Sequence, residues 1–235
     1  MFAKSLRNIA YKYKDYKSNP INILISGLSL CYTGRFILHK TFPFIVKKYK
    51  LNFSNKPSIE TEKWIKDIID QDIIIVNKNV KYASCGIGNL IGISETCNNE
   101  IFDALKMNDY EILDKWKMVF YHELGHIKND DTTKLMLCKI TQTSLTCMSL
   151  IYVPYLSLII YFFAELAINK YRRYFEKEAD LFACNKAVNI EQLIAFKKIF
   201  SDSDSNMPEM FMTHPKKDKR IQYIINFSLK KFNIK

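Results

Sequence analysis

The chain has 235 residues, of which 48% are hydrophobic and 25% charged, with a formal net charge of +11. That balance supports a buried core and argues against a disordered chain. The lysines are spread along the whole length without any zinc-finger, RRM or helix-turn-helix pattern, which disfavours nucleic acid as a partner; the charge fits either an anionic membrane surface or a plainly solvated lysine-rich exterior.

In chain order, the segment Met1 to Tyr16 is basic and weakly amphipathic through Phe2, Leu6, Ile9 and Tyr13. It reads as an organelle presequence, an interfacial helix or an ordinary surface helix, and not as a secretory signal peptide. Residues 21–50 are apolar, but Arg35, His39 and Lys40 interrupt them. The uncharged part, Ile21 to Gly34, is shorter than a usual membrane span, so a buried or interfacial helix is expected.

Ser58 to Asp70 reads as a helix with Ser58 as its N-cap after Pro57. Three β-branched runs follow, from Asp72 to Val76, Val80 to Cys85 and Leu90 to Thr96. Asn77-Lys78-Asn79 and Gly86-Ile87-Gly88-Asn89 supply the turns between them. A small antiparallel sheet of three strands is expected there. Tyr110 to Asn129 reads as one long helix, with Ile112, Trp116, Val119 and Phe120 on one face. Further helices are expected near Tyr171 to Lys186, near Ile190 to Phe200, and from about Lys217 onward.

The stretch Ile140 to Ala164 contains no Asp, Glu, Lys or Arg, and Pro154 lies near its middle. Pro154 is a natural turning point. Asp131 to Tyr152 and Pro154 to Phe175 then form a helical hairpin with arms of about 22 residues, near the length that crosses a bilayer. Lys139 and Glu165 oppose burying the whole hairpin in lipid. The hairpin is therefore a two-span element, a shallow membrane insertion or a core hairpin, with membrane association favoured. The fold class is α+β and mainly helical, with a small antiparallel sheet beside the long helix and this apolar hairpin.

The six cysteines, Cys31, Cys85, Cys97, Cys138, Cys147 and Cys184, form no C-x-x-C pair. They read as buried thiols of a reducing compartment.

The long helix ends in His122-Glu123-Leu124-Gly125-His126. Four residues turn a helix by about 400°, so both imidazoles leave one face and can grip one ion. Glu123 is one step round, where a general base takes a proton from a metal-activated water. By residue frequencies such a run arises by chance in about one chain per hundred of this length. A zinc site of this type needs a third protein ligand and an open fourth position. The extended metzincin pattern would place a third histidine at the position held by Thr132. A carboxylate is the better candidate, and Glu176 in Glu176-Lys177-Glu178-Ala179-Asp180 fits best. Asp180, on the same helical face, is placed to accept a hydrogen bond from the far nitrogen of a liganding imidazole.

At these residues the sequence resembles the membrane-associated zinc metallopeptidases of the CAAX prenyl protease and HtpX group, over about residues 60 to 225. The matching elements are His122-Glu123-Leu124-Gly125-His126, Glu176-Lys177-Glu178-Ala179-Asp180, Thr213-His214-Pro215 and Arg220-Ile221. The resemblance implies a zinc-dependent metalloendopeptidase with one zinc ion per chain. It makes His122, His126 and Glu176 the metal ligands, Glu123 the catalytic base and Asp180 the support of a ligand. It also implies that His214 assists at the oxyanion or the substrate. The strand from Leu90 through Ile91, Gly92 and Ile93 to Ser94 becomes an edge that pairs with an extended peptide. Where relatives often carry an Asn-Ala pair leading into that edge, this chain has Tyr82-Ala83-Ser84-Cys85-Gly86.

On this reading residues 57–235 are the peptidase domain, with the hairpin at 132–175 inside it, and residues 1–56 are a basic N-terminal region. The expected partners are a peptide or protein substrate and a membrane, with no nucleic acid. The expected location is a membrane, with the active site on a reducing side. Met207, Met210, Phe211 and Met212, just before His214, suit either a promiscuous peptide pocket or core filling. The competing readings are a non-catalytic membrane adaptor that keeps the protease fold, and a basic nucleic-acid- or lipid-binding protein with a chance motif.

Overall fold

A computed structural model describes residues 58–69, 73–75, 84–85, 91–152, 154–199 and 208–233, together with Gly34, Ile37 and Thr41. Those three isolated residues are helical and exposed. The other expectations for residues 1–56 lie outside the described residues, as do the two turns of the sheet.

The first helix, α1 (Ile59–Ile69), is capped as its sequence predicts: Ser58 Oγ accepts from the Thr61 amide at 3.1 Å. Strands β1 (Ile73–Ile75), β2 (Ser84–Cys85) and β3 (Ile91–Ile93) follow. The sheet departs from the sequence expectation in two ways. Its order is β1-β3-β2, with β3 parallel to β1 and antiparallel to β2, so the sheet is mixed. And β3 is the middle strand, with Ile91 and Ile93 fully buried. Both of its hydrogen-bonding edges are engaged, so Ile91, Gly92 and Ile93 do not form the free edge expected for a substrate; Leu90 lies outside the described residues. The third strand is also shorter than expected, because Ser94 caps a helix instead of extending the strand. Its Oγ accepts from the Cys97 amide at 3.0 Å, and α2 (Glu95–Met107) begins at once.

Asn108 closes α2 in the left-handed conformation, φ 55°, which asparagine tolerates better than most residues. Asp109 then caps α3 (Tyr110–Lys128), its Oδ1 accepting from the Ile112 amide at 3.2 Å. A cap that ends one helix beside a cap that starts the next makes a sharp turn, and α3 runs into the centre of the protein. It is buried on two sides. Leu113, Trp116, Phe120 and Leu124 meet Ile65 and Ile69 of α1, Ile91 and Ile93 of β3, and Ile101 and Ala104 of α2. On another side Met118 meets Ala183 and Cys184, Leu193 and Phe196, and Ile224. A helix held on both sides is a rigid platform for its side chains.

Helix α4 (Asp131–Tyr152) and helix α5 (Pro154–Lys186) pack against each other as the expected hairpin. Proline suits the first turn of a helix because its missing amide has no partner there. The second arm is longer than expected: it continues without a break through Glu176 and Asp180 to Lys186. No helix among the described residues is long and apolar enough to cross a membrane. Helix α6 (Ile190–Ile199), a 3-10 turn (Glu209–Phe211) and α7 (Lys217–Lys231) complete the described residues.

A group of polar residues lines the seam of the hairpin. Lys139 donates to Glu165 across the seam, and Gln142 Nε2 donates to Glu165 Oε2 at 2.9 Å and to the Tyr161 carbonyl at 3.2 Å. Gln142, Ser149 and Ser157 are buried, while Leu145, Leu150, Tyr155, Leu158 and Phe163 face outward.

Candidate metal centre

His122 and His126 leave one face of α3, and their Nε2 atoms approach to 3.1 Å. Glu176 of α5 faces both, its carboxylate oxygens 3.5 Å from His122 Nε2 and 3.6 Å from His126 Nε2. One ligand atom from each residue lies within 4.8 Å of the other two. The approach of α5 to α3 that allows this depends on Gly125. A Cβ at that position would lie 3.0 Å from Ala179 Cα and 3.2 Å from Phe182 Cβ. Glycine removes that obstacle, and the backbones come close between the two histidines.

Each imidazole is backed by a carboxylate on its far side. His126 Nδ1 lies 2.9 Å from Asp131 Oδ2. His122 Nδ1 lies 2.8 Å from Asp180 Oδ1, close but poorly aligned for a directed hydrogen bond. A carboxylate beside Nδ1 favours the proton there and leaves the Nε2 lone pair facing inward. Two inward nitrogens 3.1 Å apart, with a carboxylate beside them, are satisfied by a shared proton or by a metal cation held between them. The same field acts on His122 itself: burial pulls its pKa down, but Asp180 and Glu176 outweigh burial and raise it to about 10. The surroundings thus favour positive charge at this spot, and two imidazoles with one carboxylate form a donor set that suits zinc.

Asp180 is wholly buried and held from three directions. Arg220 of α7 grips it in a fork, Nε donating to Oδ2 at 2.7 Å and Nη2 to Oδ1 at 2.6 Å. Tyr223 Oη donates to Oδ2. Burial works against the ionised carboxyl, yet Arg220 and His122 hold its pKa below the usual carboxylate range. Glu176 is likewise depressed against the effect of burial, by His122 and His214.

His214 does reach this cluster: its Nδ1 lies 3.1 Å from Glu176 Oε2, while its side chain is 60% exposed. Glu123 is buried in α3 beside His122. Met210 is largely exposed and Met212 half-buried; the Met212 carbonyl accepts from Arg173 at 2.7 Å. The Met207 and Phe211 side chains lie outside the described set.

Three participants escape a reading of the sequence. Asp131 stands there only as the start of a hairpin arm, although a carboxylate five residues after His126 is a usable signal. Asn129 and Asp130 (φ 52°) make the reversal that folds it back on the ring. Arg220 stands there only as half of an Arg-Ile pair, and Tyr223 carries no mark at all. Arg220 and Tyr223 lie at least forty residues from Asp180, so no local pattern announces their contacts.

A buried helix presenting two histidines to a glutamate on a neighbouring helix, with carboxylates behind the rings, defines a metallopeptidase of the zinc-dependent kind. The chain belongs to peptidase family M48, whose model matches residues 101–227. It is a zinc metallopeptidase, a peptide-bond hydrolase that takes peptides or proteins as substrates. No curated protein and no solved structure matches the chain.

Proposed function

We propose that His122, His126 and Glu176 hold the zinc ion and that Glu123 moves the protons of endopeptidase cleavage. The observation that carries this reading is the convergence of the two Nε2 atoms and the Glu176 carboxylate on one point. Bound there, zinc supplies a Lewis acid that acidifies water and polarises a carbonyl. Glu123, one helical step from His122, accepts the proton of the attacking water and returns it to the leaving amine nitrogen. Asp131 and Asp180 keep the rings turned with Nε2 inward, and Arg220 with Tyr223 keeps Asp180 ionised and in place. His214, at the solvent edge beside Glu176, donates a hydrogen bond to the oxyanion that develops on the carbonyl. Thr213-His214-Pro215 and Arg220-Ile221 support a place near the CAAX prenyl protease and HtpX branch of the family.

The test is zinc content per chain, measured with peptide cleavage. Wild type should carry one zinc, and Glu176→Ala much less. Glu123→Gln should keep its zinc and its fold and lose turnover by about a hundredfold or more. Zinc-free wild type after metal supply, or full turnover by Glu123→Gln, rejects the assignment.

We also propose that the α4–α5 hairpin rests on a membrane from a reducing compartment. The polar seam and outward apolar side chains support this, because such an arrangement suits an apolar surrounding better than water. The +11 net charge favours an anionic surface. Wild type should float with phosphatidylglycerol vesicles, and Leu158→Glu with Phe163→Glu should not; equal flotation rejects the contact.

A further inference from the structure

Beside the metal centre, α5 and α7 leave an open groove of about 560 Å³ between them. Its walls are two helical stripes. Lys170, Arg173 and Lys177 lie one turn apart along α5, and Lys219, Tyr223 and Asn226 recur at the same spacing on α7. Facing helices ordinarily close on apolar side chains. These two instead present four cationic groups, and the one carboxylate in the lining, Glu209, is already paired with Lys219 at 2.5 Å. The groove is therefore strongly positive, with lysine stems and tyrosine rings as its apolar walls.

Its position ties it to the site. Tyr223 lines the groove and donates to Asp180. Lys177 follows Glu176 in α5, and the buried Pro215 in the lining follows His214. Arg173 holds the Met212 carbonyl at 2.7 Å, fixing the segment that carries His214 along the groove's margin. Through Lys177 and Pro215 the groove adjoins, in sequence, Glu176 and His214 of the metal cluster.

We propose that this groove is a substrate subsite for acidic residues, with Lys170, Arg173 and Lys177 receiving carboxylates of the bound peptide a few residues from the scissile bond. The inference rests on the peptidase reading above. An ionised acceptor among several cations forms stronger hydrogen bonds than a neutral one, and the surrounding positive charge draws acidic segments inward. The choice of peptide carboxylate over phosphate follows from the shared wall with the catalytic centre, which a bound substrate must cross.

The experiment steps a Glu-Glu pair along one peptide and compares each register with its Gln-Gln counterpart. It reads the ratio of their kcat/KM values for wild type and for Lys170→Gln with Lys177→Gln, at low and high salt. One register should be preferred about tenfold, and the preference should collapse in the double variant and shrink in high salt. No preferred register, or a preference that survives the double variant, overturns the subsite. If no peptide in the series is cleaved, the chemical reading fails for that series while the groove is still decided. The same peptides are then titrated onto Glu123→Gln by fluorescence anisotropy, and acidic binding lost in the added Lys170→Gln and Lys177→Gln supports it. Equal binding of Glu and Gln peptides overturns it. Tripolyphosphate binding without any peptide preference reassigns the groove to phosphate groups and overturns it as well.

Discussion

A methyl group on Gly125 would lie 3.0 Å from the Ala179 Cα, closer than the two helices can bear without moving. This contact sits between His122 and His126 on one helix and between Glu176 and Asp180 on the other. The spacing of the metal-binding atoms therefore depends on a glycine that binds nothing. Gly125→Ala should push α5 away from α3 and cost about 1–3 kcal/mol of stability by overpacking. Because the shift falls on the ligand set, zinc affinity should drop as well. Urea denaturation of the zinc-free protein and a zinc titration read the two effects separately; an unchanged zinc affinity would show that the close approach serves packing alone.

The carboxylates behind the rings should matter nearly as much as the ligands. Asp131→Asn and Asp180→Asn remove the anions beside the Nδ1 atoms of His126 and His122. Each should weaken zinc binding by about 10- to 100-fold. Competition with a chelator of known affinity provides the measurement.

Arg220 should behave differently from those two. Its guanidinium is the main compensation for the buried Asp180 charge, and burial and Asp180 act on it in opposite directions with the carboxylate prevailing. Arg220→Met leaves that charge in the interior and should destabilise the protein by about 3–5 kcal/mol. The double variant Arg220→Met with Asp180→Asn should recover part of the loss, because the buried anion is gone. Thermal melts of the three proteins check this coupling.

The hairpin seam carries a pH-dependent contribution. Burial raises the Glu165 pKa, but Lys139 and Gln142 outweigh it, so the net shift is downward from 4.5. A carboxyl with a depressed folded pKa stabilises above its unfolded value and loses that contribution as pH falls through the folded value. Both partners are about one-third exposed, so the increment is below about 1 kcal/mol. The melting difference between wild type and Glu165→Gln should be present at about pH 7 and diminish as pH falls below 4.5.

Cys97 and Cys184 should resist alkylation in the folded protein. Burial, and then the Asp180 charge, push the Cys184 thiol up to about 12, and burial pushes Cys97 up as well. Little thiolate exists in either at about pH 8. Among the four described cysteines, iodoacetamide should label the partly exposed Cys138 and Cys147 first and reach Cys97 and Cys184 only on unfolding, as mass spectrometry of timed samples would show.

What could be read from the sequence was what depends on near neighbours. The single face shared by His122 and His126 follows from helical periodicity. The cap at Ser58 and the start of a new helix at Pro154 follow from the chemistry of those residues, and the pairing of Glu176 with Asp180 on one face follows from their spacing. The sheet escaped because a strand of three isoleucines carries no label for its partner. β3 lies between β1 and β2 through backbone hydrogen bonds whose order is set by how the chain crosses over, so Ile91 to Ile93 became a centre and not an edge. The length of α5 escaped as well, since the charged residues after Phe175 continue the apolar arm without a breaker.

By itself, the sequence determined the face shared by His122 and His126, the place of Glu123 one step round and the helices that carry them, because these rest on rotations of about 100° per residue within one element. Only the tertiary structure decided that Asp131 backs His126, that Arg220 and Tyr223 hold Asp180, and that α5 and α7 enclose a basic groove. Those contacts join chemical groups by the packing of whole helices around a buried α3, and the energy that selects them is expressed only when distant elements have left water together.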